Sequence, residues 1–306
     1  MPADAIHFAR RARGSLRRLL VGPALPSADP PCVLALEDIA AQPRERVEAT
    51  SRALASPVYL GDGIGLCRVL TRYKFFVSTR DIGFGANVLL DGYWEIWLSQ
   101  FIARTVRRGT TVIDVGANYG YHALLLADLA GPSGRLWAVE PNPDVARLLR
   151  RSLDLNGFGQ RSHVCEFALG AAEGTAILAI PPGEPKNGST VAGEGGEDWE
   201  RREVQVRPLD ALVAGAGPIG FIKIDAEGAE EAIIEGMADT LAARPPMVLE
   251  FNAARYADPG AFLERLLRVY GRIAHVGYDG RAEGVSPQRV LTEHFGEDWL
   301  LVFGVA

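Results

Sequence analysis

The chain has 306 residues, of which 48% are hydrophobic and 23% are charged, and its mean hydropathy is +0.05. These values are typical of a globular protein and exclude the disordered and fibrous classes. The 32 basic and 38 acidic side chains give a net charge of −6, which disfavours nucleic acid as a partner.

The first 31 residues are basic and then proline-rich. They lack the continuous apolar core of a secretory signal, and no run of 18 apolar residues anywhere predicts a membrane-spanning helix. Cys32, Cys67 and Cys165 have neither the spacing of a disulfide framework nor that of a zinc site. We therefore predict a cytoplasmic protein. Weak contact between the basic N-terminus and a membrane surface stays open as an alternative.

Residues 1–104 are predicted to form an appendage. A helical pattern covers 43–55, and short apolar runs alternate with glycines over 58–90, which is typical of β-hairpins. The segment Asp91-Gly92-Tyr93-Trp94-Glu95-Ile96-Trp97 follows, with Trp94 and Trp97 spaced for one apolar helix face. A core role for the two tryptophans and a role beside the ligand both stay open.

From residue 105 to 306, apolar runs alternate with helical segments, which predicts an α/β fold with a doubly wound, mostly parallel, seven-stranded sheet of Rossmann-like type. Asn142 before Pro143 and Asp258 before Pro259 predict helix starts. A glycine-rich stretch at about 171–207 is predicted to be an inserted hairpin, in which 187–190 form either a surface loop or a lid. The predicted strands are 111–115, 135–139, 162–167, 220–225, 246–251, 272–276 and 299–304.

The first of these strands ends in Asp114-Val115-Gly116-Ala117-Asn118-Tyr119-Gly120 and runs into an apolar helix. Ligands of open α/β sheets lie beyond the carboxyl ends of the strands, where glycines allow close approach. A dinucleotide fingerprint requires glycines where Asn118 and Tyr121 stand, so NAD and FAD are disfavoured. A triphosphate-binding lysine loop is also missing.

Glu140 follows the second strand, twenty residues after Gly120, and can accept both ribose hydroxyls. Asp114 is suited to an ammonium group. A nucleoside with an amino-acid tail in place of phosphates fits these features, and S-adenosylmethionine is such a ligand.

Five motifs in this order resemble the FkbM-type S-adenosylmethionine-dependent methyltransferases over roughly residues 90–280. They are Asp-Val-Gly-Ala-Asn-Tyr-Gly (114–120), Val-Glu-Pro-Asn-Pro (139–143), Phe-Ala-Leu-Gly (167–170), Ile-Lys-Ile-Asp-Ala-Glu-Gly-Ala-Glu (222–230) and Pro-Met-Val-Leu-Glu (246–250).

The resemblance implies the class I methyltransferase fold, in which the last strand is antiparallel. It also implies O-methylation of a hydroxyl on a sugar, a polyketide or a similar small molecule. Cofactor contacts are implied for Asp114, Gly116, Asn118, Gly120 and Glu140, with Ala168 beside the adenine. His122 departs from the family pattern, where tyrosine is frequent.

Methyl transfer requires a group that orients and deprotonates the acceptor hydroxyl. Asp225 and Glu250 stand at the ends of the fourth and fifth strands and are the first catalytic candidates; Asp225 also borders the cofactor turn. Glu95 is the third candidate. Lys223 within the strand is interpreted as a buried ion-pair partner, while Glu227, Glu230 and Glu231 are assigned to the first turn of the following helix.

Magnesium held by Asp225, Glu250 and Asn252 is an alternative that we do not favour, and we predict no metal site. The competing functional class is a non-catalytic nucleoside-binding scaffold that retains the fold. The sequence does not identify the acceptor or the oligomeric state.

Overall fold

The computed structural model describes residues 32–191, 193 and 195–305. The chain from Cys32 onward forms one compact unit. The expectations for the basic segment and the proline-rich run fall on residues 1–31, outside the described residues. None of the helices in the described part of the chain is both long and apolar enough to cross a membrane.

The N-terminal part contains helices and one small antiparallel sheet. The helix predicted at 43–55 is present, but only the first part of 58–90 forms hairpins, because its end is a helix that terminates at Gly92 with φ +68°. The elements are helices α1 (Leu36–Ala41) and α2 (Arg44–Leu54), strands β1 (Val58–Tyr59), β2 (Ile64–Val69) and β3 (Tyr73–Ser78), and helices α3 (Phe84–Asp91) and α4 (Ile96–Thr105).

The central sheet has eight strands rather than the predicted seven. All seven predicted strands are present, and the additional one, which is three exposed residues long, pairs antiparallel at one edge. The strands are β4 (Thr111–Val115), β5 (Arg135–Val139), β6 (Ser162–Cys165), β10 (Ile219–Ile224), β11 (Met247–Phe251), β12 (Ala274–Val276), β13 (Ala282–Gly284) and β14 (Trp299–Phe303).

The strand order is β13-β12-β14-β11-β10-β4-β5-β6. The five strands from β11 to β6 run parallel, while β14 is antiparallel to both of its neighbours, which confirms the implied antiparallel last strand. The carboxyl ends of β5, β4, β10 and β11 therefore meet at one edge of the sheet. Ligand sites of open α/β sheets lie at this edge.

Helices cover the sheet and begin where the local sequence indicates. The side chain of Asn142 accepts a hydrogen bond from the Asp144 amide, and that of Asp258 accepts one from the Ala261 amide, with proline at the first helical position in both cases. The helices are α5 (Tyr121–Ala130), α6 (Pro143–Leu155), α7 (Leu209–Leu212), α8 (Glu230–Glu235), α9 (Ala238–Ala242), α10 (Pro259–Tyr270) and α11 (Pro287–Thr292).

The insertion is the predicted hairpin. Strands β8 (Gly174–Ile180) and β9 (Glu200–Arg207) pair antiparallel, and β9 also pairs with the short strand β7 (Ala168–Leu169). The segment between β8 and β9 contains a turn of 3₁₀ helix at Pro185–Asn187.

Alternation along the strands divides the apolar side chains between two buried clusters. Val112 belongs to one cluster and Ile113 to the other. The first cluster also contains Phe75, Val88 and Ile102 from the N-terminal elements. The boundary at 104/105 remains a prediction, and elements on both of its sides contribute to this cluster.

Candidate active site

A cavity lies at the carboxyl ends of β4, β5 and β10. Five of the predicted site residues line it, whereas Asp114, Gly120, Glu95 and Glu250 are not among the lining residues. The lining residues are Val115, Gly116, Asn118, Val139, Glu140, Pro141, Ala168, Leu169, Lys186, Gly188, Thr190, Asp225, Ala226, Glu227, Ala229 and Ile233.

The turn after β4 requires glycine at two positions. Gly116 has φ +67°, and a Cβ atom there would lie 1.7 Å from the carbonyl oxygen of Asp225. Gly120 has φ +96°, and its Cβ would lie 2.4 Å from Leu149. The glycines therefore allow β4 to approach β10 and the turn to approach α6.

Glu140 fixes the turn and faces the cavity. One carboxylate oxygen accepts from the amide of Asn118 at 2.9 Å, and the other accepts from the amide of Asn142 at 2.8 Å. Burial raises its pKa to about 7, against the effect of these two hydrogen bonds. Each oxygen keeps a further lone pair, so the residue fits the role of accepting two ribose hydroxyls.

A buried ion-pair cluster lies beside Gly116. Lys223 Nζ is 3.4 Å from Asp114 Oδ1, 3.2 Å from Asp225 Oδ2 and 3.4 Å from the Gly116 carbonyl oxygen. This confirms the ion-pair interpretation of Lys223. Burial raises the pKa of Asp114 to about 6 although Lys223 opposes the shift. Contact between Asp114 and a cofactor ammonium group remains a prediction.

Asp225 and Glu250 meet as predicted, and their side chains share a hydrogen bond. Burial alone would raise the pKa of Asp225, but Lys223 and the bond from Glu250 hold it below its usual value. Burial and the charge of Asp225 raise the pKa of Glu250. The pKa of Asp225 is thus lowered and that of Glu250 raised, so Asp225 is the more acidic member of the pair.

The assignment of Glu227 to a helix is wrong. Glu227 has φ +50° and precedes α8, which begins at Glu230. Glu230 is at the helix start, but it is buried and accepts from the amides of Ala226 and Gly228 and from the Tyr256 hydroxyl. Through these hydrogen bonds Glu230 stabilises the loop 226–228 at the cavity floor. The helix-dipole interpretation does not predict this role.

The inserted segment reaches the cavity. The Ser189 hydroxyl donates to the Glu227 carbonyl oxygen at 3.2 Å, the Asn142 side chain donates to the Pro185 carbonyl oxygen at 3.1 Å, and Ser189 exchanges two backbone hydrogen bonds with Ala179. Lys186, Gly188 and Thr190 line the cavity. These contacts favour the lid interpretation over the surface-loop interpretation.

Glu95 and His122 lie near the ion-pair cluster. Glu95 has φ +39° directly before α4, so Trp94 precedes the helix to which its spacing assigned it. Burial would lower the pKa of Lys223, but the charges of Asp225 and Asp114, and then that of Glu95, raise it. Burial, then Lys223, lowers the pKa of His122 to about 3, so its imidazole is neutral at pH 7.

The suggested magnesium ligands have other partners. The Asn252 side chain caps the turn at the Ala254 amide and donates to Asp298 at 2.9 Å, while Glu250 pairs with Arg255 at 3.3 Å. Within the described part of the chain, no group of three or more His, Cys, Asp or Glu side chains could hold a metal ion.

Sequence reasoning missed Lys186 and Arg255. Lys186 is one of only three lysines in the chain, and it directly precedes the segment 187–190 for which the sequence leaves a lid open. Arg255 follows Glu250 by five residues, and no local pattern indicates which carboxylates it binds.

Comparison with known proteins identifies a family that covers more than half of the chain. The family model of the methyltransferase FkbM domain matches residues 114–279, which is more than half of the chain. The protein-L-isoaspartate O-methyltransferase of Methanothrix thermoacetophila is 30% identical over 112 residues, which are 37% of this chain and 50% of that protein. The enzyme of that name from Aeropyrum pernix is 46% identical over 50 residues, or 16% of this chain and 19% of the relative. The chain thus spans half or less of these curated relatives.

Among solved structures, a methyltransferase FkbM from Methylobacillus flagellatus is 18% identical, with 71% of this chain and 52% of that chain covered and a TM-score of 0.41. The O-methyltransferase TomG from Streptomyces achromogenes, solved in complex with S-adenosylmethionine, is 15% identical, with 68% and 78% covered and a TM-score of 0.37.

Proposed function

This chain belongs to the FkbM family of S-adenosylmethionine-dependent methyltransferases, and we propose that it transfers the methyl group of S-adenosylmethionine to a hydroxyl group of a small-molecule acceptor, such as a sugar or a polyketide. One observation carries the proposal: the glycine turn and Glu140 line one part of a cavity whose floor is Asp225, bonded to Glu250.

The residues present fit the cofactor. Glu140 would hold the ribose, Ala168 would lie beside the adenine, and Gly116 and Asn118 would border the amino-acid tail. These positions are consistent with a ligand that has no phosphate, because the turn offers neither a lysine nor a third glycine. When bound, S-adenosylmethionine supplies the methyl group and leaves as S-adenosylhomocysteine.

Asp225 is the proposed proton acceptor. Its side chain is 35% exposed toward the cavity and is held by Lys223 and Glu250. As the acceptor oxygen forms its bond to the methyl carbon, the O–H proton becomes acidic, so a carboxylate of low pKa suffices to take it. Glu250 stabilises the Asp225 carboxylate through their hydrogen bond. Glu95 remains a candidate for orienting the acceptor.

Glu140→Ala is expected to weaken S-adenosylhomocysteine binding by about 10- to 100-fold, because two charge-assisted hydrogen bonds are lost. Calorimetric titration with S-adenosylmethionine, S-adenosylhomocysteine and NAD measures this. Glu173→Ala removes an exposed carboxylate and serves as the control. Binding of NAD in preference to the other two, or equal affinity in the two variants, would contradict the assignment.

Glu140 should also make the affinity for S-adenosylhomocysteine depend on pH. Because the pKa of Glu140 is about 7, its carboxyl is mostly protonated at pH 6 and mostly ionised at pH 8. Only the ionised form accepts both hydroxyls, so S-adenosylhomocysteine affinity should rise about tenfold over this range. In Glu140→Ala most of the rise should vanish; an undiminished rise would assign it to another group.

Asp225→Asn is expected to reduce methyl transfer at least about 100-fold, because the proton acceptor is lost. Transfer of labelled methyl to a panel of hydroxylated acceptors measures this, with binding of S-adenosylhomocysteine as the parallel readout. Glu235→Gln, which alters an exposed ion pair with Arg265, is the control. Cofactor binding without transfer to any acceptor would favour the scaffold alternative.

A further inference from the structure

Arg255 joins three carboxylates at the edge of the candidate active site. It ends a short 3₁₀ turn after β11, and its guanidinium is 3.1 Å from Glu227, 3.3 Å from Glu250 and 3.3 Å from Asp298. These carboxylates come from three separate segments: the loop after β10, the end of β11 and the residue before β14. One side chain thus fixes the relative positions of all three segments.

Glu227 is part of the cavity lining, and Glu250 contacts a residue of the lining. Glu227 lines the cavity, and its side chain is 29% exposed. Glu250 is bonded to Asp225, which also lines the cavity. Arg255 therefore acts on the cavity through the groups that form its floor, while its own side chain is only 22% exposed.

This end of the cavity contains more carboxylates than cations. Asp225, Glu227, Glu250 and Asp298 lie around Arg255 and Lys223, and Lys223 is shared with Asp114. Lys186 from the inserted segment also lines the cavity. With so few cations near the floor, the loss of the Arg255 charge would change the local potential substantially.

We propose that Arg255 is a positioning residue that sets the charge presented by the cavity floor, and that it thereby determines the preference for the positively charged methyl donor over its uncharged product. The inference rests on the proposed function. The donor and S-adenosylhomocysteine differ only by a methyl group and the sulfonium charge, so the ratio of their affinities reports the potential at the floor.

If Arg255 balances charge, each substitution should change the ratio of cationic-ligand to neutral-ligand affinity in a defined direction. Without the guanidinium, the Glu227 carboxylate in the cavity lining loses its paired cation, and cationic ligands gain affinity relative to neutral ones. Without the Glu227 carboxylate, the positive charge of Arg255 is less compensated, and cationic ligands lose affinity relative to neutral ones. A residue that only holds the loop in place would weaken both ligands together.

The test is calorimetric titration at pH 8 with S-adenosylmethionine, S-adenosylhomocysteine and sinefungin, in which a protonated amine replaces the methylsulfonium group. In Arg255→Met we expect the affinity ratio of either cationic ligand to S-adenosylhomocysteine to rise about five- to tenfold. Arg255→Lys should keep the wild-type ratio within twofold, and Glu227→Gln should lower it. Arg265→Met, which removes a guanidinium that bridges Glu231 and Glu235, is the matched control and should change nothing.

Each result has one meaning. Equal weakening of all three ligands in Arg255→Met would overturn the proposal and leave a purely structural role. If Arg255→Met fails to fold, an unchanged ratio in Glu227→Gln overturns the proposal and a lowered ratio supports it. If the wild-type protein binds none of the ligands, the proposed function fails as well, so the two failures are distinguishable.

Discussion

Gly116→Ala is expected to abolish S-adenosylhomocysteine binding and to lower the free energy of unfolding by about 3–4 kcal/mol. The added Cβ would lie 1.7 Å from the Asp225 carbonyl oxygen, which is backbone and cannot rotate away. Either β4 and β10 separate or the turn moves, and both changes displace Asn118 and Asp225 in the cavity. The φ of +67° adds strain for any residue with a side chain.

Gly157→Ala separates steric overlap from backbone strain. Gly157 has φ +77°, but no atom lies within 4 Å of the position that a Cβ would take there. This variant should lose only about 1 kcal/mol and should bind S-adenosylhomocysteine normally. Chemical denaturation and calorimetry measure both quantities. Similar losses in the two variants would mean that the close approach of Gly116 to β10 is not what stabilises the turn.

Much of the fold follows from local signals. The strands at 111–115 and 135–139 have the predicted bounds because each is a short apolar run between turn residues. Asn142 and Asp258 begin helices because a capping side chain and a proline at the first helical position act within four residues.

The features that were missed depend on contacts distant in sequence or on weak patterns. Strand β13 is three exposed residues long and has no periodicity to detect. The Phe84–Asp91 helix lies in a glycine-containing stretch that resembled a hairpin.

The candidate site likewise contains some residues that local motifs predict and others that only the folded chain brings together. Gly116, Asn118 and Glu140 belong to two short motifs, and their place in the cavity follows from the order of two adjacent parallel strands. Arg255 acquires its role only when three segments up to 71 positions apart, counted from Glu227 to Asp298, come together. The sequence pattern predicts Glu227 in the helix because acidic residues are frequent in the first turn, and its left-handed backbone has no signal beyond the neighbouring Gly228.

Lys223→Met is expected to lower the free energy of unfolding by about 3–5 kcal/mol at pH 8, because it leaves the Asp114 carboxylate buried without its cation. The side chain of Asp114 is 1% exposed, and among the described residues neither of its oxygens has a hydrogen-bond donor in good geometry. Lys74→Met, at an exposed position, is the control and should cost little.

The pH dependence identifies the cause. The pKa of Asp114 is about 6 with Lys223 in place and rises further without it. An acid whose folded pKa is raised contributes stability that is present below its unfolded pKa and is lost as pH rises through the folded pKa. Lys223→Met should therefore lose much less stability at pH 5, where the lost ion pair with Asp225 remains as a cost, than at pH 8. The double variant Lys223→Met with Asp114→Asn should recover most of the loss at pH 8, since the fully buried charge is removed and the remaining Asp225 carboxylate is 35% exposed. A deficit that is equal at both pH values, or that the double variant does not relieve, would mean that lost packing of the lysine side chain is responsible, not the buried charge.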